Sequence, residues 1–413
     1  MVFFVLVSIH EWGHFYFAKR AGILVREFAI GFGPKIFSYK RGETRYTLRL
    51  LPIGGFVRMA GEDPEVVEVQ PGQTVALRLN KQDQVSHIFM DQLDQRNNTV
   101  QGVIEKLDIE HALYVKLDIE GEVQKYNVHP EAVIVSKLKE TQIAPHNRQF
   151  GSKTVGQRAL AIFAGPLMNF ILAFVFFCTY ILMAGIPVEQ PQYVKIGTVE
   201  NNSVAKGILT PGDVVKSVNG VAIGGDRTKL IELINKSPNK PMDWIIIRNG
   251  QEQKVEITPA LNKQDNIGRV GITVPVITRN AGFGEAVQNG AHIMKDATVL
   301  IFDGFKKLVF GQFKMDDLGG PVRTFEVTGQ FAKAGLPQLI YWAGILSLYL
   351  GIFNLLPFPA LDGSRLVFLG FEAVRGRPVD PNRESMVHFI GFAMLMLLML
   401  AVTYNDILRL FKS

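Results

Sequence analysis

The chain has 413 residues, enough for two or three domains, and carries 47% hydrophobic against 20% charged residues. A net charge of +6 at this length, with no basic–aromatic repeat, makes no case for nucleic acid and fits basic flanks beside membrane segments. The single cysteine, Cys178, excludes an intrachain disulfide and a cysteine-based zinc site.

Residues 1–18, MVFFVLVSIHEWGHFYFA, form the first apolar segment, short for a membrane span and interrupted by His10, Glu11 and His14. A signal peptide is the alternative, but the basic n-region and small-residue cleavage site are missing. Only nine residues precede His10, about 14 Å of helix, so the expectation is an upstream start or a shortened helix. Next, residues 44–59, TRYTLRLLPIGGFVRM, alternate as strands do, with a turn expected at Gly54-Gly55. A β-rich insert follows over about 66–145, where KLDIE at 106–110 and again at 116–120 reads as neighbouring strands. Residues 159–186 are long and apolar enough to span. Residues 193–260 alternate strands with one helix, RTKLIELINKS, and end in a hairpin on Asn249-Gly250. Residues 280–337 read as amphipathic helices at a membrane surface. Residues 338–374 form a third apolar segment crossing Pro357 and Pro359, and 386–403 a fourth.

Charge orients these spans. Lys19, Arg20 and Arg26 follow the first, Arg148, Lys153 and Arg158 precede the second, and Arg375, Arg377 and Arg383 separate the third from the fourth. Positive flanks mark the cytoplasmic side, so 19–158 and 375–385 are expected inside, with 187–337 and both termini outside.

Ionisable groups inside a span are costly and mark function. On a helix, His10 and His14 lie one turn apart on one face. His-Glu-x-x-His is the spacing at which two imidazoles bind Zn²⁺ and the intervening Glu11 takes a proton from water at the metal. A catalytic zinc site needs a third protein ligand. His388, at the start of the fourth segment, reads as a satisfied or interfacial histidine. Asp362 is the better candidate: a carboxylate at membrane depth, preceded by Pro357 and Pro359 and followed by Gly363.

HEWGH, GPLMNF and NLLPFPALDG resemble the three membrane motifs of the site-2 proteases, the zinc intramembrane proteases, and REFAIGFGPKIF with LRLLPIGGFVRMAGEDP resembles the cytoplasmic β-region of the bacterial RseP/RasP branch. LDGS stands where many members have LDGG. The resemblance implies that His10, His14 and Asp362 hold zinc, that Glu11 is the catalytic base, and that Asn169 and Asn354 help position substrate. It also implies a single PDZ domain. The expected fold is a polytopic α-helical membrane protein with four transmembrane helices, a cytoplasmic membrane-associated β-region and an extracytoplasmic PDZ (α+β) domain. Its parts are a first span 1–18, a cytoplasmic loop 19–158, a second span 159–186, the PDZ domain 187–275, an amphipathic segment 276–337, a third span 338–374, a fourth span 385–405 and an outer tail 406–413. The strand around Tyr46–Leu51, with Tyr46, Thr47 and Leu48 as its substrate-positioning residues, is expected to pair its edge with an unwound substrate.

The expected partners are the bilayer of the bacterial cell membrane and pre-trimmed single-span substrates. In this family those are anti-sigma factors, some division or cell-envelope proteins and signal-peptide remnants. The external domain either excludes untrimmed substrates by size or binds new C-termini. A zinc-lacking scaffold and a transporter stand as the other classes. Metal content discriminates the first, and the second wants inverted repeats, which are missing.

Overall fold

The computed structural model describes residues 1–62, 69–93, 98–136, 139–188, 192–262, 266–311 and 319–412. Asp63 and Pro64, which end the cytoplasmic motif, and 66–68, which open the insert, lie outside the described residues. The helices are α1 (Val2–Arg20), α2 (Val155–Ala184), α3 (Arg227–Asn235), α4 (Phe283–Val309), α5 (Pro321–Ala334), α6 (Leu336–Asn354), α7 (Asp362–Arg375) and α8 (Pro381–Lys412). The chain divides into two compact units, Met1–Thr179 with Asn289–Ser413, and Tyr180–Gln288.

Among the described residues, three helices are long and apolar enough to cross a membrane: Val155–Ala184, Leu336–Asn354 and Asn382–Arg409. The 19-residue α1, with Glu11 inside and Lys19 and Arg20 in its last turn, is not among them. Small residues let the helices approach, as membrane packing requires. A Cβ on Gly13 of α1 would lie 2.4 Å from the Ala164 carbonyl oxygen of α2. One on Gly351 of α6 would lie 3.2 Å from the Pro166 oxygen. The apolar segment 338–374 is two helices, not one. Helix α6 ends at Asn354 because Pro357 and Pro359 supply no amide hydrogen and restrict the residues before them. Ala360 turns the chain at φ 76°, and α7 begins at Asp362. Gly363 is required there, because a Cβ would sit 2.3 Å from the carbonyl oxygens of both Leu355 and Leu356.

The β-region begins with β1 (Val25–Arg41) and β2 (Thr44–Met59), two long strands that each fold back. Glu27–Ile30 is flanked by Gly55–Arg58 on one side and Arg45–Leu48 on the other, and Arg45–Leu48 is flanked again by Phe37–Lys40. Four rows result, with 45–48 inside and 55–59 at an edge. The reversal within β2 falls between Leu51 and Gly55, with Gly54 at φ 82°, and its two arms flank Glu27–Ile30 instead of pairing with each other as a hairpin.

The insert contains β3 (Thr74–Leu79), β4 (Val85–Phe89), β5 (Val100–Asp108), β6 (Tyr114–Ile119), β7 (Glu122–Ser136) and β8 (Lys139–Gln142). Their order is β4-β3-β5-β6-β7-β8, and β4 also pairs β7, closing five strands on themselves around Leu77, Ile88, Ile104 and Leu117. Closure removes the edges of an otherwise exposed sheet. The two KLDIE copies are neighbours, with Lys106 opposite Lys116.

The second unit has β9 (Ile186–Pro187), β10 (Val194–Lys195), β11 (Val214–Val218), β12 (Val221–Ala222), β13 (Met242–Arg248), β14 (Gln251–Ile257), β15 (Ala260–Asn262), β16 (Ile267–Arg269) and β17 (Thr278–Arg279). A sheet of order β10-β11-β13-β14, with β12 on β11, covers a core of Trp244, Leu230, Met242 and Ile196. Asn249 and Gly250 both take positive φ, the two-residue turn whose twist suits a hairpin. Asp226 caps α3, accepting the Lys229 amide at 2.9 Å.

Candidate metal centre and active site

The one-turn spacing on α1 brings His10 and His14 together, and the start of α7 brings in Asp362. The two Nε2 atoms are 3.2 Å apart, and each lies 3.3 Å from Asp362 Oδ2. Among the described residues this is the one group of three or more side chains able to hold a metal ion. A tetrahedral shell with ligand atoms about 2.0–2.1 Å from zinc separates those atoms by about 3.3 Å. The observed triangle has that size.

Proton placement supports the same fit. His14 Nδ1 lies 2.9 Å from the Ala161 carbonyl oxygen, which can only accept, so Nδ1 carries the hydrogen and Nε2 is a bare lone pair. His10 Nδ1 lies 3.0 Å from the Asn169 amide, whose Oδ1 is buried without a partner. The two amide ends are assigned by their network. With the amide turned over, Oδ1 accepts from His10 Nδ1–H, the orphan is satisfied, and His10 Nε2 is bare as well. Two lone pairs and a carboxylate then face one another in a buried site, an arrangement that repels itself without a cation among them.

Glu11 is 7% exposed, and its side chain lies against Gly55, where a Cβ would meet Glu11 Cγ at 2.8 Å. A cavity of about 580 Å³ opens beside it. Its walls include the two histidines, Asp362, Asn354, His388 and residues 55–59. Asn354 donates to the Leu350 carbonyl at 3.0 Å. Arg365, one turn after Asp362, pairs with Glu62 just beyond β2.

Tyr46, Thr47 and Leu48 do not line this cavity. Thr47 is buried and donates to Glu27 at 2.7 Å, and the Tyr46 ring packs on Phe15 and Phe28. Burial works against the Glu27 carboxylate, but Thr47 and Arg49 more than offset it and hold its pKa below the usual range. Both flanks of 45–48 are already paired, so their backbone offers no edge to a substrate. This corrects the expectation for Tyr46, Thr47 and Leu48; Arg49 and Leu51 of the same strand are paired on one side only. The row at the sheet's edge beside Glu11 is 55–59.

Sequence reasoning missed several contributors. Gly165 of α2 is a cradle: a Cβ there would sit 2.2 Å from His14 Nε2 and 2.9 Å from His10 Cε1. The GPLMNF motif marked this stretch without saying why glycine is needed. Gly55 is a close approach to Glu11 that its place beside a turn does not reveal. Glu62 and Arg365 are 303 positions apart, and His388 is read correctly only when its partner is known.

A membrane protein with an HExxH helix, a carboxylate brought against both histidines and an open cavity beside them is a membrane-embedded metallopeptidase. The family model of peptidase family M50 matches residues 1–398, and the chain belongs to that family, the site-2 proteases, as a zinc metalloprotease. It is 46% identical over its whole length to 97% of the regulator of sigma-W protease RasP from Bacillus subtilis. It is likewise 46% identical, over all of this chain and 97% of the relative, to the zinc metalloprotease RasP of Geobacillus kaustophilus. Among solved structures, the PDZ domain of an SdrC-like protein from Listeria monocytogenes is similar over 22% of this chain and 93% of its own, at 19% identity and a TM-score of 0.19.

Proposed function

We propose that His10, His14 and Asp362 hold one zinc ion and that Glu11 transfers the proton in hydrolysis of a peptide bond within a membrane-spanning segment. The observation that carries this is the triangle of ligand atoms 3.2–3.3 Å apart beside the buried Glu11. Zinc, when bound, supplies a Lewis acid that polarises the scissile carbonyl and acidifies water. Glu11 takes a proton from the water attacking that carbonyl and passes it to the departing amide nitrogen as the C–N bond breaks. Asn169 orients His10 through its ring nitrogen, and Asn354 lies where it can meet substrate. A helical substrate has to unwind to expose its carbonyl, and its freed backbone groups then need partners. The edge at 55–59 supplies them by strand pairing.

In this reading α1 is a fourth span in the bacterial cytoplasmic membrane, with both termini outside. Residues 187–275 are a PDZ domain that regulates access. The Bacillus subtilis relative is a regulator of sigma-W, which supports pre-trimmed anti-sigma factors as substrates, with signal-peptide remnants beside them.

The test is Glu11→Gln, with metal content and cleavage rate measured on one preparation. Glutamine keeps the size and hydrogen bonding but accepts no proton. The variant retains near-stoichiometric zinc and cleaves at least about 100-fold more slowly. Normal cleavage by a verified variant would place the chemistry elsewhere.

A further inference from the structure

The geometry points to His388 of α8 as a positioning residue for the metal site: its Nδ1 holds the turn that presents Asp362. This rests on Asp362 being a ligand. Between α6 and α7, Leu355, Leu356, Phe358 and Leu361 each donate to a carbonyl two or three residues back and Pro357 and Pro359 have no amide hydrogen, which leaves Ala360 as the one amide bonded outside the segment. Ala360 stands at φ 76°, a conformation that residues other than glycine rarely adopt and keep only where their surroundings impose it. Its amide donates to His388 Nδ1 at 3.0 Å. A backbone amide only donates, so Nδ1 accepts and the ring proton sits on Nε2. That nitrogen is buried without a hydrogen-bond partner among the described residues, with Glu384 Oε1 one turn back at 3.7 Å. Phe368 of α7 meets the ring edge-on, 5.8 Å between centroids.

A second contact on the same face of α8 acts on the neighbouring residue. At Gly391, three positions on, an added Cβ would lie 2.2 Å from Pro359 Cβ and 2.7 Å from its carbonyl oxygen. The backbone of α8 is thus pressed onto Pro359 while His388 ties down Ala360. Only Leu361 separates Ala360 from Asp362, so the carboxylate follows any shift of the turn. Only 11% of the most apolar stretch of α8 is buried, so this clamp is one of the few places where the helix is packed. The last helix contributes no metal ligand, yet it sets where one stands.

The experiment compares full-length His388→Asn, His388→Gln and Gly391→Ala proteins, reading zinc affinity by competition with a chelator. An Asn side chain can place an acceptor near the Nδ1 position, whereas Gln places its polar end near Nε2. His388→Gln and Gly391→Ala are expected to bind zinc about 10–100-fold more weakly, as loss of a group supporting a ligand does. His388→Asn is expected to stay close to the wild-type affinity. Wild-type affinity in His388→Gln and Gly391→Ala, or equal weakening in His388→Asn and His388→Gln, overturns the clamp. Asp362→Ala is run alongside: zinc retained there defeats the ligand assignment itself, a different failure from an inert His388.

Discussion

At the scale of residues, the site is made as much by absent side chains as by present ones. Gly165 leaves room for both imidazoles and Gly55 for Glu11, and neither carries chemistry. Gly165→Ala places a methyl group 2.2 Å from His14 Nε2 and should lower zinc content in a protein that still inserts, measured by metal analysis of the purified variant. A different residue-scale effect operates in the second unit. Arg248 pairs with the buried Asp213 at 2.7 Å, and the Thr210 amide also donates to that carboxylate. Burial opposes the Asp213 charge, but Arg248 and Thr210 prevail and hold its pKa below the ordinary value. A depressed folded pKa stabilises the fold above the unfolded pKa of about 3.9 and loses that contribution as pH falls through the folded value. Asp213→Asn should therefore cost the unit about 3 kcal/mol at neutral pH, by leaving Arg248 without its charge partner. Denaturant melts should show the gap closing in strong acid. A cost unchanged from neutral pH into strong acid would show that the pair is not its source.

At the scale of elements, the folded-back β1–β2 sheet leaves 55–59, not 45–48, with a free edge for the proposed pairing. Alternation and aromatic content make 44–51 the natural choice in sequence, yet its central residues 45–48 are paired on both flanks. Gly54-Gly55 completes the reversal of β2 and begins the edge row beside Glu11. Proline belongs at sheet edges and disrupts interior strands. Proline scanning should separate the two cases. At Thr47 or Leu48 it should unfold the sheet and lower yield. At positions 56–58 some substitutions should leave a folded, zinc-loaded protein with slow cleavage. If every proline in 56–58 of a folded protein cleaves at the normal rate, substrate does not pair there.

At the scale of the whole molecule, the candidate chemistry and the proposed control of access belong to different units. All the candidate ligands and Glu11 lie in Met1–Thr179 with Asn289–Ser413, whereas Tyr180–Gln288 contains no histidine or cysteine. Deleting 187–275 should leave cleavage of a pre-trimmed substrate intact and raise cleavage of the untrimmed one, compared in the same membranes. Loss of both in a folded deletion would give that unit a direct part in the reaction. The local text alone determined the family, the HExxH pair, the Asn249-Gly250 hairpin and the break before Asp362. Each depends on spacing along the chain or on residues with fixed backbone preferences, and neither needs a distant partner. Only the tertiary structure decided which strand is an edge, why Gly165 and Gly55 are glycines, and what His388 does. Those are properties of contact between segments, as far apart as Glu62 and Arg365, and backbone pairing or a missing Cβ leaves no periodic trace in sequence from which a neighbour can be read.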